Sequence, residues 1–368
     1  MNNLPVAPAV TEYLYRKATA AGIPLSGTFE LTPLCNMDCK MCYVRLSRQA
    51  QEQIAPLAEG ARWLQLARQA RDGGMLYLLL TGGEPFLHPQ IRQILEGLHQ
   101  MGLLVTINSN GTLIDEATVR WLKNCPPVRL NISLYGASDE TYARLCGNPQ
   151  GFTQTCRAID LLRNAGLPVK LNCSLTPHNA KDLPQMAAFA REKGLVLQVA
   201  TYMFPPVRKD GTVGHNDRFS PEDAAYYMAY ADYLTLGKER FLSQEGQLPQ
   251  RAEPDTVCER DGVRCRAGKC SFWVTWQGKL LPCGMFPEGA APNVFDMPFP
   301  AAWQTVKEDV CKIQLPAQCA ACNVKDTCHA CAAMVITESG CFDQVPQYRC
   351  HMMSACKAQW ERVKEEIQ

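Results

Sequence analysis

From about residue 27 to residue 204 the chain alternates between two kinds of segment. Short apolar runs occupy residues 28–31, 76–80, 103–108, 129–134, 169–175 and 196–202. Several are apolar on both parities, the mark of strands buried on two faces. Between them, residues 60–71, 89–101, 115–124, 151–165 and 182–193 space their apolar positions at three or four, as amphipathic helices do. Asp115 opens one of these as an N-cap, and Asp182 with Pro184 starts another. Repeated strand–helix units predict a parallel sheet with right-handed crossovers. Six units are too few for a closed eight-stranded barrel. The pattern predicts an α/β fold of six strand–helix units.

Beyond residue 204 the pattern changes. A loop containing Pro and charged residues spans 204–220, a helix is predicted over 221–236, and a polar linker follows. Twelve of the nineteen cysteines then fall in the last third of the chain. The predicted organisation is an N-terminal segment over 1–26, the barrel over 27–242, a linker over 243–257, and a cysteine-rich domain over 258–350. A terminal stretch, 351–368, ends in a charged amphipathic helix from Cys356 to Gln368. Composition narrows the class. Lys plus Arg (37) nearly balances Asp plus Glu (36), so no strong field points to nucleic acid or an anionic membrane. No run is long and apolar enough to span a bilayer, and residues 1–10 lack the basic start and apolar core of a secretory signal. Cysteines clustered at short spacings in a large core-forming chain fit metal or cluster ligation in a reducing cytoplasm better than a disulfide scaffold.

The most specific chemistry lies just after the first predicted strand. Cys35, Cys39 and Cys42 are set at C-x3-C-x2-C, with Tyr43 directly behind. A four-iron cluster normally takes four thiolates, so three close ones leave an iron open to bind and activate a small molecule. A structural zinc knuckle is the bland alternative. One strand–helix unit later stands Thr81-Gly82-Gly83-Glu84-Pro85. Together these motifs resemble the radical S-adenosylmethionine (SAM) enzymes, which implies a partial (β/α)6 barrel, and the count of six units agrees. The resemblance implies a 4Fe–4S cluster on Cys35, Cys39 and Cys42, the residues expected to be catalytic. It also implies SAM chelating the open iron, reductive cleavage of its sulfonium bond, and a 5′-deoxyadenosyl radical that abstracts hydrogen from a substrate. Tyr43 would lie near the adenosine, and Gly82, Gly83, Glu84 and Pro85 would hold the methionine amino group. Asn110 and Ser133, at the ends of the third and fourth strands, and Arg144 are candidates for the ribose hydroxyls and the methionine carboxylate. Thr201 and Tyr202 are candidates for the adenine pocket; turn-forming polar residues are the plain reading of such positions.

The second cysteine group has its own spacing. Cys265 is followed after twelve residues by Gly278 and, after four more, by Cys283; then come Cys319-x2-Cys322-x5-Cys328-x2-Cys331 and Cys350. This resembles the SPASM extension, which holds two auxiliary four-iron clusters, except that relatives usually have three residues between the last pair. Carried over in order, Cys265, Cys283 and Cys331 would serve the nearer cluster, with Cys258 or Cys270 as its fourth ligand or that iron left open. Cys319, Cys322, Cys328 and Cys350 would serve the farther one, with Cys341 a weaker rival to Cys350. Zinc on the C-x2-C pairs is the alternative. Trp273 and Trp276 read as part of a hairpin turning at Gly278 and packing this module on the barrel.

Family members of this two-part layout commonly modify ribosomally made peptides by crosslinks, thioethers or epimerisation; a minority act on small metabolites or tetrapyrroles. A peptide substrate is the main expectation. A non-catalytic iron–sulfur or zinc protein is the reading from another class. Only about 34 residues precede Cys35, so leader recognition is expected from a separate protein or from direct binding along the barrel mouth. The electron donor is expected to be a flavodoxin or ferredoxin. Gly284 after Cys283 disfavours sulfatase activation, which uses an acidic residue there. Cys125, Cys146, Cys156 and Cys173 lie outside the cluster motifs; Cys173, in the fifth strand, is the candidate hydrogen donor. The polar loop 207–218 is expected at the open mouth.

Overall fold

A computed structural model describes residues 9–206, 217–244, 262–322, 324, 328 and 331–368. Helix α1 (Ala9–Ala21) leads into β1 (Ser26–Glu30). The barrel proper then runs α2 (Arg48–Ile54), α3 (Gly60–Asp72), β2 (Tyr77–Thr81), α4 (Ile91–Gln100), β3 (Leu104–Ser109), α5 (Glu116–Leu122), β4 (Arg129–Ser133), α6 (Asp139–Cys146), α7 (Gly151–Asn164), β5 (Val169–Ser174), α8 (Leu183–Glu192) and β6 (Leu197–Ala200). Every neighbouring pair from β1 to β6 is parallel and in sequence order. That is the architecture the alternating pattern predicts, with strand ends shifted by one or two residues.

One face of this sheet carries the core. Phe29, Leu78, Leu80, Ile107, Leu130, Ile132 and Leu171 are buried and pack under the helices, Phe29 against Trp63 of α3 with ring centroids 5.1 Å apart. Apolar burial of this kind is the main source of stability. The opposite face departs from the expectation of strands apolar on both sides. Side chains alternate along a strand, and in β3 to β6 the other parity presents Asn108, Arg129, Asn131, Lys170, Asn172 and Gln198. These pair along the face: Asn131 Nδ2 donates to Asn108 Oδ1 at 2.8 Å, Arg129 Nε to Asn131 Oδ1 at 3.0 Å, and Lys170 to Gln198. A strand in an incomplete barrel need not fill its inner side with apolar groups, because that side is open to a ligand.

The cysteine-rich domain is joined to the barrel through the sheet itself. After α9 (Pro221–Leu236) and α10 (Lys238–Leu242), β7 (Ser271–Val274) pairs parallel to β1, Ser26 opposite Ser271, and β8 (Leu280–Leu281) turns back antiparallel. The hairpin predicted around Gly278 is present, and Gly278 takes φ +87° at its turn. Gly27 is what lets the two domains meet: a Cβ there would lie 2.5 Å from the Phe272 ring. Helices α11 (Phe299–Lys312), α12 (Ala317–Ala320), α13 (Ala332–Ser339) and α14 (Gln347–Ile367) complete the described domain. The last helix starts before Cys356, so that Cys350 lies in its first turn. Among the described residues no helix is long and apolar enough to cross a membrane.

Phe272 is 2% exposed and packs on Phe299 and Trp303, with centroids 4.9 and 6.0 Å away. Phe272→Ala is expected to cost about 3–5 kcal/mol, read as a lowered midpoint in thermal unfolding of the metal-free chain. An unchanged midpoint would show that this contact does not tie the domains together.

Candidate active site and cysteine groups

The loop after β1 is built from the backbone outward. Gly83 N donates to Thr32 O at 2.7 Å and Glu84 N to Leu34 O at 2.8 Å. The two glycines after β2 therefore lie directly on the cysteine loop: a Cβ at Gly82 would sit 2.5 Å from Thr32 O, and one at Gly83 would sit 2.3 Å from Leu34 O. Their smallness serves this loop-to-loop contact, a different reason from the ligand approach expected of them. On its far side the loop is pinned to α6, where Asp38 N donates to Cys146 O at 2.8 Å and Lys40 N to Leu145 O at 3.0 Å. Met37 packs with Tyr142, Leu145 and Cys146 beneath it.

Glu84 is fully buried. Its Oε1 accepts from Ser109 Oγ at 2.9 Å and Phe86 N at 3.2 Å, and its Oε2 from Asn110 N at 2.8 Å. Burial pushes its carboxyl up to about 7, against the pull of these three donors. Asn110 is similarly occupied. Its Nδ2 donates to Asn36 Oδ1 at 2.9 Å and reaches Cys35 Sγ at 3.7 Å, while its Oδ1 accepts from Thr112 N. Glu84 and Asn110 thus fasten the ends of β2 and β3 to the cysteine loop.

Cys35, Cys39 and Cys42 are all half-buried on that loop. Backbone amides point at two of the sulfurs: Met37 N to Cys35 Sγ and Arg45 N to Cys42 Sγ, both at 3.4 Å. Burial, with the nearby Glu84, Cys39 and Cys42 charges, pushes the Cys35 thiol up to about 12. Cluster ligands must be thiolates, so loading this site releases protons. Among the described residues no three His, Cys, Asp or Glu side chains converge on a single metal-ion position. A four-iron cluster makes no such demand, since each thiolate takes its own iron. Three thiols on one loop, amide donors to sulfur and a polar rim fit such a cluster.

The other expected contacts divide. Tyr43 is half-buried beside the triplet, and Ser133 ends β4 with Tyr135 two residues on. Thr201 and Tyr202 follow β6; Tyr202 hydroxyl bonds Glu338 of α13, which turns it toward the cysteine-rich domain. Arg144 donates to His178 O at 3.0 Å and lies 3.6 Å from Glu140, so α6 and the β5 loop engage it. Cys173 is 2% exposed on the helix-facing side of β5, with Asn179 Nδ2 3.9 Å away. That parity puts it behind the sheet, away from the inner face where a hydrogen donor would stand. Of the loop 207–218, residues 207–216 lie outside the described residues; Asp217 bonds His178 Nε2 at 2.7 Å.

In the cysteine-rich domain, Cys265 and Cys283 line a cavity of about 730 Å³ with Arg264, Arg266 and Trp273. Cys331 is the N-cap of α13, its Sγ accepting from Met334 N at 3.4 Å. Burial raises its thiol, and Cys265 lies near enough to add to that rise. A second set gathers around Cys350, which burial first and then Cys319, Cys328 and Cys322 push up to about 11. Cys270 stands apart. It is fully buried and bonds Thr19 Oγ1 at 3.1 Å in a pocket with Ala18 and Leu25, which makes it a packing residue between α1 and β7. Cys258 lies outside the described residues. Cys341 Sγ donates to Ser339 O at 3.7 Å. Trp276 is buried, whereas Trp273 is half-buried over the cavity with its Nε1 on Glu30 Oε2 at 3.2 Å. Glu30 and Arg349 lie outside the expected site residues; Arg349 stands directly before Cys350 in the sequence.

The parallel partial barrel with this rim is a radical SAM domain, since residues 29–190 match the Radical SAM superfamily, and the protein is an enzyme. The chain is 26% identical over 334 residues to the AdoMet-dependent heme synthase of Methanosarcina barkeri, covering 85% of this chain and 92% of that one. It is 27% identical over 275 residues to the antilisterial bacteriocin subtilosin biosynthesis protein AlbA of Bacillus subtilis, covering 74% of this chain and 58% of that one. In fold it is similar to Streptococcus suis SuiB bound to its precursor peptide SuiA, with a TM-score of 0.67 at 19% identity over 92% of this chain and 81% of that one. Together these imply SAM and a 4Fe–4S cluster as cofactors.

Gly83→Ala must displace the Leu34 carbonyl and is expected to cost about 1–3 kcal/mol and to abolish the barrel cluster's share of bound iron after anaerobic reconstitution, which iron analysis measures. The Glu84 carboxyl gives a pH signature. Its pKa is higher folded than unfolded, so the folded chain binds the extra proton between about 4.5 and about 7. Its contribution to stability is therefore greatest below that window and is lost as pH rises through about 7. The unfolding free energy of the metal-free wild type is expected to fall relative to Glu84→Gln between pH 5 and 8; a constant difference would contradict this.

Proposed function

We propose that this enzyme modifies a ribosomally made peptide, forming a crosslink or thioether or inverting a residue, with hydrogen abstraction as the first step. The observation that carries this is the inner face of the barrel. Asn108, Asn131, Asn172 and Gln198 line it with side-chain amides, which match the donors and acceptors of a peptide backbone. Similarity to AlbA and the fold shared with peptide-bound SuiB support the reading. When bound, the barrel cluster on Cys35, Cys39 and Cys42 supplies the electron that cleaves SAM. The chain's residues do the rest: the Glu84 and Asn110 ties hold the rim, Gly82 and Gly83 seat it, and Tyr43 and Ser133 flank the SAM site. Cys265, Cys283 and Cys331, and Cys319, Cys322, Cys328 and Cys350, would hold two auxiliary clusters, and an external flavodoxin or ferredoxin would supply electrons.

Sulfatase-type oxidation is disfavoured on steric grounds as well as by residue type. A Cβ at Gly284 would lie 2.6 Å from the Trp273 ring, so an acidic side chain there needs Trp273 to move. A tetrapyrrole is the second reading, because the heme synthase similarity spans 92% of that relative. The test is anaerobic incubation of the reconstituted enzyme with SAM, a strong reductant and short peptides encoded beside its gene. The expected result is 5′-deoxyadenosine together with a mass change in one peptide. 5′-Deoxyadenosine with no altered peptide would overturn the peptide reading, and conversion of an added tetrapyrrole would establish the second.

A further inference from the structure

Two cations stand among the amides on the inner face of the barrel. Side chains alternate along a strand, and Arg129 of β4 and Lys170 of β5 both carry the inward parity, opposite to the buried Leu130 and Leu171. The two strands pair with Asn131 opposite Lys170. Arg129, two residues before Asn131, is therefore the diagonal neighbour of Lys170, about 7–8 Å away and within reach of long side chains. Like charges this close repel. Burial first, and then the Arg129 charge, push the Lys170 ammonium down from its ordinary range. The fold holds both heads with neutral groups. Arg129 Nε donates to Asn131 Oδ1 at 3.0 Å, and Asn131 Nδ2 donates on to Asn108 Oδ1 at 2.8 Å. Lys170 Nζ donates to Gln198 Oε1. An amide oxygen orients a cation without cancelling its charge. Lys170 is half-buried and Arg129 exposed, so the pair is open to a ligand.

Two oriented cations on a ligand-facing surface suit one kind of group. A carboxylate accepts from both at once through its two oxygens, and such charge-assisted contacts are among the stronger hydrogen bonds. We propose that Arg129 and Lys170 form a subsite for a carboxylate of the substrate, with Asn131 and Gln198 as the amides that aim the two heads at it. This rests on the reading that the inner face seats the substrate. The carboxylate belongs to an Asp or Glu side chain of a peptide or to a propionate of a tetrapyrrole; each presents the same group to the two cations. The strands also set a length. Arg129 precedes Ser133 by four residues on β4, and Lys170 precedes Ser174 by four on β5. At about 3.3 Å per residue, the subsite lies about 13 Å along the strands from the rim. A substrate held there by its carboxylate reaches the rim with another part of its body, about four residues away in an extended peptide. Arg129 and Lys170 are thus specificity residues: they choose which part of the substrate comes up to the rim and do not touch the reacting atoms.

The experiment measures binding of paired probes to the full chain, reconstituted anaerobically and saturated with SAM. One set of probes is the short peptides encoded beside the gene, each with a second form in which Asn and Gln replace Asp and Glu. The other is heme with its dimethyl ester. The wild type is expected to bind one acidic form about tenfold or more tighter than its neutral partner, the effect of one charge-assisted contact. Arg129→Gln combined with Lys170→Gln is expected to bring that ratio to about one, each single Gln variant to lower it part of the way, and Arg129→Lys to keep most of it. The single variants decide the matter even where the double variant fails to fold or to load iron. A preference shown by a peptide supports the subsite and the peptide reading together. One shown by heme alone supports the subsite and overturns the peptide reading. A wild type that binds acidic and neutral forms alike, or binds neither, overturns the subsite, while a peptide still altered in mass leaves the peptide reading standing. A preference that every Gln variant retains overturns the subsite too, because the carboxylate then docks elsewhere.

Discussion

The structure depends on the contact between two loops at the C-terminal rim of the sheet. The backbone of Gly83 and Glu84 hydrogen-bonds to the carbonyls of Thr32 and Leu34, with no room for a Cβ on either glycine. The position of Cys35 follows from this contact, since it is the next residue after Leu34. Glu84 then carries the constraint sideways, because its carboxylate accepts from Ser109 and Asn110 at the end of β3. Three strand ends are thereby fixed relative to one another before any cofactor arrives. Preorganisation of this kind matters for radical chemistry, where the protein's part is placement and exclusion of water.

The same sheet carries the constraint to the second cysteine group. Because β7 pairs with β1 in parallel, from Ser26 opposite Ser271 to Phe29 opposite Val274, the cavity of Cys265 and Cys283 is held in the register of the strand that ends in the Cys35 loop. Thr28 of β1 lines that cavity too. The two cysteine regions are therefore attached to opposite ends of one strand.

Much of this is legible in the sequence, and the exceptions have physical causes. The six strands are legible as short apolar runs between helix-like segments, although in β3 to β6 only one face is apolar. Helix α6 escapes periodicity, since it is only eight residues long; its signals are local, with Ser138 capping Thr141 N and Gly147 at φ +65° closing the other end. The pairing of β7 with β1 is not readable, because it joins residues about 245 positions apart through a register that no local pattern encodes. Cys270 illustrates the limit for the site. Its spacing from Cys265 suits a ligand, yet its place one residue before β7 turns it onto Thr19 and α1. Spacing says which cysteines are near in sequence; strand parity decides which share a cavity. The same parity removes Cys173 from the inner face.

Charge explains why so many thiols can be kept in one chain. Burial raises Cys35 to about 12 and Cys350 to about 11, so the metal-free protein holds these sulfurs as neutral, unreactive thiols at ordinary pH. Neutral thiols can pack beside one another without repulsion. Loading iron reverses this balance. The thiols give up protons, and each group becomes a concentrated anion that the fold must answer with donors already in place. At the barrel loop these are the Met37 and Arg45 amides and the Asn110 side chain. In the cysteine-rich domain the Met334 amide at the start of α13 takes that part. Arg45 on the barrel loop is paired with Asp38 at 2.9 Å, so its charge is answered before any iron arrives.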